Sequence, residues 1–106
     1  MPLEMETLIA GQSVDLNEQG YLTQLEQWNE AVAEAIAAEE GIQLTDKHFE
    51  VLRYLQEQYR QDVALTIRKV GKSGVVDIKA FYALFPGGPL KKASRIAGIP
   101  KPASCI

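Results

Sequence analysis

Residues 84–98 read LFPGGPLKKASRIAG. This pattern predicts a short helix with helix-breaking residues on both sides. Proline lacks a backbone N–H and glycine favours turns, so the PGG at 86–88 predicts the end of a short helix that Asp77 caps. Pro89 suits the first turn of a last helix, and Gly98 suits its end. Helical spacing directs four apolar side chains of this helix toward a core: Leu90, Ala93, Ile96 and Ala97.

Two longer helices are predicted upstream of this stretch. The first runs from about residue 24 to 40 and stops at Gly41, with its apolar face formed by Leu25, Trp28, Val32, Ala35 and Ile36. Thr45 is expected to cap the second, which ends near Arg60. Residues 63–70 are apolar and basic by turns and fit either a short helix or an extended strand, and 71–74 form a loop.

The N-terminal residues have the pattern of a β-meander. Residues 7–9 and 13–16 flank Ala10-Gly11-Gln12, which predicts a tight hairpin. Residues 17–20 are a second turn signal, after which Tyr21-Leu22 can add a short third strand. The predicted fold class is therefore α+β: a mostly helical single domain, residues 1–98, with an N-terminal β-hairpin or meander. A flexible C-terminal arm, residues 99–106, follows it.

The charge of the chain is unevenly distributed. Residues 1–60 hold twelve acidic and three basic residues, whereas residues 61–106 hold two acidic and eight basic ones. Two interpretations stay open from sequence: the basic half faces an acidic partner or nucleic acid, or the two halves neutralise each other. The chain has no long apolar run and no signal-peptide pattern at its start, and it has a single cysteine. These features predict a cytoplasmic protein without a membrane partner.

Few residue patterns point to catalysis. One histidine and one cysteine, His48 and Cys105, do not make a metal site, and neither of the common phosphate-loop motifs is present. Gly87-Gly88 before a helix can meet an anion, but a plain turn is the commoner role. His48 can be paired on paper with Cys105, although in the first turn of a helix it is more often a capping or packing residue.

Cys105, the penultimate residue, is the candidate reactive group. Pro100 and Pro102 keep the preceding segment extended, so the thiol is expected on a semi-stiff arm that can enter another protein's pocket. Nearby positive charge favours the reactive thiolate, whereas the C-terminal carboxylate opposes it. The basic residues expected to support the thiolate or a partner are Lys91, Lys92, Arg95 and Lys101.

The C-terminal part of the chain resembles the DsrC/TusE family. That family ends in LFP-x-GP followed by AG-[LI]-PKP-x-x-C-[IV], and this chain has LFPGGP at 84–89 and AGIPKPASCI at 97–106. Weaker similarity upstream includes GYL at 20–22, Trp28, and LT at 44–45 followed by HF at 48–49. Together these matches cover most of the chain.

The resemblance implies that the penultimate cysteine carries sulfur as a persulfide. TusE-type members receive sulfur from a TusBCD complex and serve the thiolation enzyme MnmA in forming 2-thiouridine in tRNA. DsrC-type members have a second cysteine eleven positions earlier and work with dissimilatory sulfite reductase. The implied activity is that of a sulfurtransferase, a persulfide carrier rather than a stand-alone enzyme, with no cofactor.

Two positions distinguish this chain within the family pattern. Ser94 stands eleven positions before Cys105, so the chain resembles the single-cysteine, TusE-like class. Only 15 residues separate Arg68 from Leu84, several fewer than the family pattern implies. The family places part of a helix and a basic arm in this region, so the shortening bears on the choice of partner and leaves room for another sulfur system.

Two other functional interpretations are compatible with the sequence. The helical regions around 45–60 and 77–97 together with the basic C-terminal half could form a helix-turn-helix-like regulator that binds nucleic acid, although no helix is rich in Arg, Asn and Gln. A packed interaction domain with an incidental cysteine is the third interpretation. The carrier predicts covalent chemistry at Cys105, whereas the regulator predicts salt-dependent duplex binding that does not depend on this residue.

Overall fold

The computed structural model describes residues 5–102 of the chain, without the side chain of Met5. Two strands are followed by a short 3-10 helix and five α-helices. Their bounds are β1 Met5–Ile9, β2 Gln12–Leu16, the 3-10 helix Leu25–Gln27, α1 Glu30–Glu39, α2 Asp46–Arg60, α3 Ile67–Gly71, α4 Ile78–Leu84 and α5 Pro89–Ala97. The predicted α+β class is confirmed.

The β-hairpin forms as predicted. Its strands are antiparallel, with Met5 opposite Leu16 and Ile9 opposite Gln12. The two-residue turn at Ala10-Gly11 has positive φ at both positions, 53° and 78°, which matches the twist of the flanking strands.

The predicted third strand is reduced to one bridge. Only Leu22 pairs with Leu16, and the Thr23 N–H donates to the Asp15 carbonyl at 3.0 Å. The Asn17 side chain closes the intervening turn by accepting from the Tyr21 N–H at 3.0 Å. The 3-10 helix begins at Leu25, two residues after Thr23, so strand pairing stops at this point.

The first predicted helix begins later than expected. The prediction of a continuous helix from about residue 24 is wrong, because Trp28 is extended and Asn29 caps a new helix by accepting from the Val32 N–H at 2.8 Å. Asparagine competes with the helix interior for backbone donors and so favours this cap position. The end at Gly41, with φ of 74°, is as predicted.

The other predicted helix boundaries agree with the structure. Thr45 caps α2, which ends at Arg60, and Asp77 caps α4 by accepting from the Ala80 N–H at 2.7 Å. In the ambiguous segment at 63–70, residues 63–66 have no regular structure and α3 begins at Ile67. This helix continues to Gly71, so the predicted loop at 71–74 begins one residue later than expected. Gly87 and Gly88, with φ of 80° and 112°, turn the chain into α5.

The core surrounds α5, which contacts α1, α2 and α4. All four of its predicted core residues are buried: Leu90, Ala93, Ile96 and Ala97. Six of its nine residues are buried in all, so the side of α5 that solvent reaches is limited to Lys91, Lys92 and Arg95. In the part of the chain that the structure describes, no helix is both long and apolar enough to cross a membrane.

Candidate functional site

The candidate site is built on the end of α5 and on the four residues after Gly98, called here the arm root, Ile99–Pro102. Cys105 follows Pro102 by three positions and lies outside the described residues. What the structure describes is therefore the support from which the predicted arm leaves.

The last carbonyl groups of α5 are bonded by side chains from distant parts of the chain. A helix leaves its last four carbonyls without intrahelical partners. The Trp28 indole donates to the Ile96 carbonyl at 2.7 Å, and the Gln56 amide donates to the Ala97 carbonyl at 2.8 Å. These two bonds fix the direction in which the chain leaves the helix. Helical spacing predicts Trp28 on an apolar helix face, and the sequence gives no signal for Gln56.

The remaining two carbonyls are bonded by the turn itself. The Gly98 N–H donates to the Arg95 carbonyl at 3.3 Å, and the Ile99 N–H donates to the Ser94 carbonyl at 3.1 Å. Gly98 has φ of 78°, and a Cβ there would lie 2.7 Å from Cδ1 of Trp28. Glycine is thus required both by the backbone conformation and by the indole.

The arm root begins in the core. Ile99 is 1% exposed, whereas Pro100 is exposed. Residues 99–102 line a small apolar groove of about 170 Å³, called here the arm groove, whose opposite wall is Tyr59 and residues 63–65. The mobility predicted for residues 99–106 and the domain boundary at 98 stay predictions.

The four predicted basic residues line one cleft of about 410 Å³, called here the α5 cleft. Its lining is Gln19, Tyr21, Glu40, Gly87, Lys91, Lys92, Arg95 and Lys101. Lys101 also lines the arm groove, so the cleft borders directly on the arm root. The structure thus brings together residues that are up to ten positions apart in sequence, although their role toward the thiolate or a partner stays a prediction.

Arg95 differs from the lysines of the α5 cleft because its charge is already paired. Its guanidinium contacts Glu39 at 2.9 Å and Glu40 at 3.1 Å, and its Nε donates to the Gly20 carbonyl at 3.0 Å. Burial acts to lower the pKa of Arg95, but the hydrogen bonds and charges of the two glutamates outweigh it and raise the pKa. Arg95 therefore joins α5 to the end of α1 and to the turn at residues 17–20.

The lysines carry the unpaired positive charge of the α5 cleft. Within residues 5–102, Lys91, Lys92 and Lys101 form no ion pair. Lys91 and Lys101 are exposed and Lys92 is half-buried. Their ammonium groups are available to an anionic group that approaches the arm root.

Ser94 is fully buried, with 0% of its surface exposed. Among the described residues its hydroxyl is the one buried side-chain polar atom without a hydrogen-bond partner. The position eleven residues before Cys105 therefore faces the core in this chain.

His48 has the structural role that the sequence favoured. Its Nδ1 accepts from the Thr45 N–H at 3.1 Å, and its Nε2 donates to the Leu84 carbonyl at 2.9 Å. The ring also packs edge-on against Phe85, with 5.1 Å between centroids. With both ring nitrogens bonded, His48 joins the start of α2 to the end of α4, and the capping and packing prediction is confirmed.

Comparison with known proteins agrees with this architecture. The family described as DsrC like protein matches residues 8–106, and the chain belongs to that family. Sulfurtransferase TusE of Salmonella paratyphi A is 39% identical over 107 aligned positions, which cover 93% of this chain and 98% of the relative. The alignment is longer than this chain of 106 residues. It therefore contains positions at which the relative has a residue and this chain has none.

Solved structures of DsrC share the fold. The solution structure of Allochromatium vinosum DsrC has a TM-score of 0.79 and 33% identity, and covers 97% of this chain and 99% of its own. The crystal structure of the oxidized gamma-subunit of the dissimilatory sulfite reductase (DsrC) from Archaeoglobus fulgidus has a TM-score of 0.79 and 36% identity. It covers 96% of this chain and 100% of its own. The predicted resemblance is confirmed.

Proposed function

We propose that this protein is a sulfur-relay carrier that accepts one sulfur atom on Cys105 as a persulfide and passes it to an acceptor. The observation that carries the proposal is the family match through residue 106, which includes Cys105 and the PKP motif before it. Relatives that align along nearly their whole length are named sulfurtransferases. The bonded end of α5 supports the proposal, because it holds the start of the segment that carries the cysteine.

The transfer needs no external oxidant or reductant. The Cys105 thiolate attacks the terminal sulfur of a donor persulfide, a new S–S bond forms at Cys105, and the donor S–S bond breaks to release the donor's thiolate. An acceptor thiolate then attacks the terminal sulfur of the Cys105 persulfide in the same way. The S–S bond on the carrier breaks and Cys105 returns as a thiolate.

The α5 cleft is proposed to assist this exchange through its lysines. A positive charge near the arm root favours the thiolate over the thiol and attracts an anionic partner surface. Lys91, Lys92 and Lys101 can do this directly, because no carboxylate pairs with them within the described residues. Arg95, whose charge Glu39 and Glu40 neutralise, is proposed to act as a positioning residue that holds α5 in place.

The proposed partners are a TusBCD-like donor and an MnmA-like thiolation enzyme with tRNA. Ser94 supports this assignment over a sulfite reductase partner, because no second thiol stands there to release the sulfur from within the chain. A partner thiol or the substrate must then take the sulfur. The structural likeness to a gamma-subunit of dissimilatory sulfite reductase keeps that enzyme as the second candidate partner.

Intact-mass spectrometry after incubation with a cysteine desulfurase and cysteine tests the proposal. The native chain should gain about 32 Da, one sulfur atom, and lose it on reduction, because persulfidation is a reversible modification of a thiolate. Cys105→Ser should gain nothing, and Ser94→Ala should behave as the native chain. The absence of an adduct with the desulfurase and with a TusBCD-type donor would overturn the carrier assignment.

A further inference from the structure

A second basic surface lies on the other side of the arm groove. This α3 groove, of about 460 Å³, runs between α2 and α3 and is lined by Tyr54, Gln58, Arg68, Lys69 and Lys72, with two hydroxyl side chains. Arg68, Lys69 and Lys72 are exposed. Of the described residues proposed above for sulfur transfer, none lines this groove, so its charge needs a separate explanation.

Within the described residues, the acidic half of the chain does not pair with this charge. Among residues 5–102, the ion pairs that join the two halves are those of Arg95 with Glu39 and Glu40. Two more pairs lie wholly within the acidic half, Arg53 with Glu30 and Lys47 with Glu50. The other seven basic residues of the C-terminal half have no paired carboxylate in the described part of the chain. Mutual neutralisation of the halves by contact is therefore limited to one arginine.

The chemistry of the α3 groove fits nucleic-acid phosphates better than a protein surface. Phosphate oxygens are bound by arginine and lysine together with hydroxyl and amide side chains, and each residue that lines this groove carries one of those groups. The centre of a protein interface is depleted of lysine and enriched in apolar contacts.

The α3 groove lies beside the arm root. Gln58 and Thr66 line the α3 groove, and their chain neighbours Tyr59 and Leu65 line the arm groove. The arm groove in turn shares Lys101 with the α5 cleft. A strand bound in the α3 groove would therefore lie close to the arm root.

We propose that the α3 groove binds the phosphate backbone of RNA and that the carrier thereby contacts tRNA directly. The choice of tRNA rests on the proposed function, whereas the binding of RNA phosphates follows from the groove. The contacts are electrostatic and independent of sequence, so they bring substrate to the carrier without selecting the nucleotide. Base selection is left to the thiolation enzyme.

Fluorescence anisotropy of the full chain with a labelled, unmodified tRNA transcript tests the proposal at several salt concentrations. The double variant Arg68→Gln/Lys72→Gln should bind about tenfold more weakly, and its logarithmic salt dependence should fall by roughly 0.9 for each lost phosphate contact. The matched control is Lys47→Gln/Lys79→Gln, which removes two exposed charges that do not line the groove. Its affinity should stay within about twofold of the native chain. Circular dichroism should show both variants folded.

Three results would overturn the proposal: no binding of tRNA at low salt, equal losses in the two double variants, or competition by polyglutamate as strong as that by unlabelled RNA. The last result would assign the groove to an acidic protein. Failure here is separable from failure of the carrier assignment, because Arg68→Gln/Lys72→Gln keeps Cys105 and should still gain a sulfur from a desulfurase. A chain that binds tRNA and gains no sulfur would refute only the carrier.

Discussion

The end of α5 and the connection between α3 and α4 are held in contrasting ways. At the end of α5, the side chains that bond the chain come from far away in sequence: Gln56 to Ala97 and Trp28 to Ile96. In the α3–α4 connection, Ser73 donates to the Val70 carbonyl at 2.6 Å and accepts from the Val75 N–H at 3.1 Å. The first region depends on the whole fold, whereas the second holds itself locally. The two regions should therefore differ in how strongly a substitution in each destabilises the fold.

Gly98→Ala should give the largest loss of stability. The positive φ costs about 1–2 kcal/mol for any residue with a Cβ. The overlap with Trp28 adds about 1–3 kcal/mol, because the indole is held by its bond to Ile96 and cannot move aside. Urea unfolding followed by circular dichroism measures the free energy of unfolding.

The matched control for Gly98 is Gly41→Ala. Gly41 has nearly the same φ, 74° against 78°, but a Cβ there meets nothing within 4 Å. It should lose only the backbone cost of about 1–2 kcal/mol. Equal losses at Gly41 and Gly98 would show that the indole does not restrain the end of α5.

Gln56→Met should give the next largest effect. The change keeps the length of the side chain and leaves the buried Ala97 carbonyl without its donor, which costs about 1–3 kcal/mol. Gln61→Met is the control: within the described residues that exposed amide bonds only the Glu57 side chain, so its loss should cost under about 0.5 kcal/mol. The two midpoints of urea unfolding give the comparison, and a Gln56 variant as stable as the Gln61 variant would contradict it.

The two serines should respond in opposite directions. Ser94→Ala removes a buried hydroxyl that has no partner in the described structure, so unfolding should become harder by up to about 1 kcal/mol. Ser73→Ala removes two bonds of the α3–α4 connection and should cost about 1 kcal/mol. Thermal unfolding of both variants shows whether each is more or less stable than the native chain. A destabilised Ser94→Ala would mean that its hydroxyl is bonded in solution.

Gly71→Ala should have the smallest effect, under about 1 kcal/mol. A Cβ at Gly71 would overlap Cγ1 of Ile78, which is a closer approach than the one at Gly98. Ile78 is 44% exposed, however, so rotation of its side chain can move Cγ1 toward solvent. The Ile78 backbone nitrogen stays in tight contact at 3.3 Å, and the gain of about 1 kcal/mol in helix propensity over glycine offsets that cost. If Gly71→Ala proved as costly as Gly98→Ala, the α3–α4 connection would be as firmly held as the end of α5.

The helix boundaries that the sequence predicted well are those set by local chemistry. Thr45 and Asp77 cap their helices, and Gly41 and Gly98 end theirs at positive φ, because each of these signals acts within one turn of backbone. The start of the first helix was missed, since helical spacing of apolar residues continued through Trp28 while that side chain bonded α5 instead.

In the candidate site, too, local sequence patterns predicted some features and tertiary contacts decided the others. The sequence alone was enough to identify three features, because each is a property of residue type and spacing. They are Cys105 on a proline-containing C-terminal segment, the four basic residues and the family signature. Only the tertiary structure decided which of the basic charges are available. It pairs Arg95 with glutamates from another helix, buries Ser94 and places Gln56 on the last carbonyl of α5. The contacts of Arg95 and Gln56 join residues about 40 to 60 positions apart in the chain. A local sequence pattern describes only neighbouring residues, so it cannot predict which distant side chains the packed fold brings together.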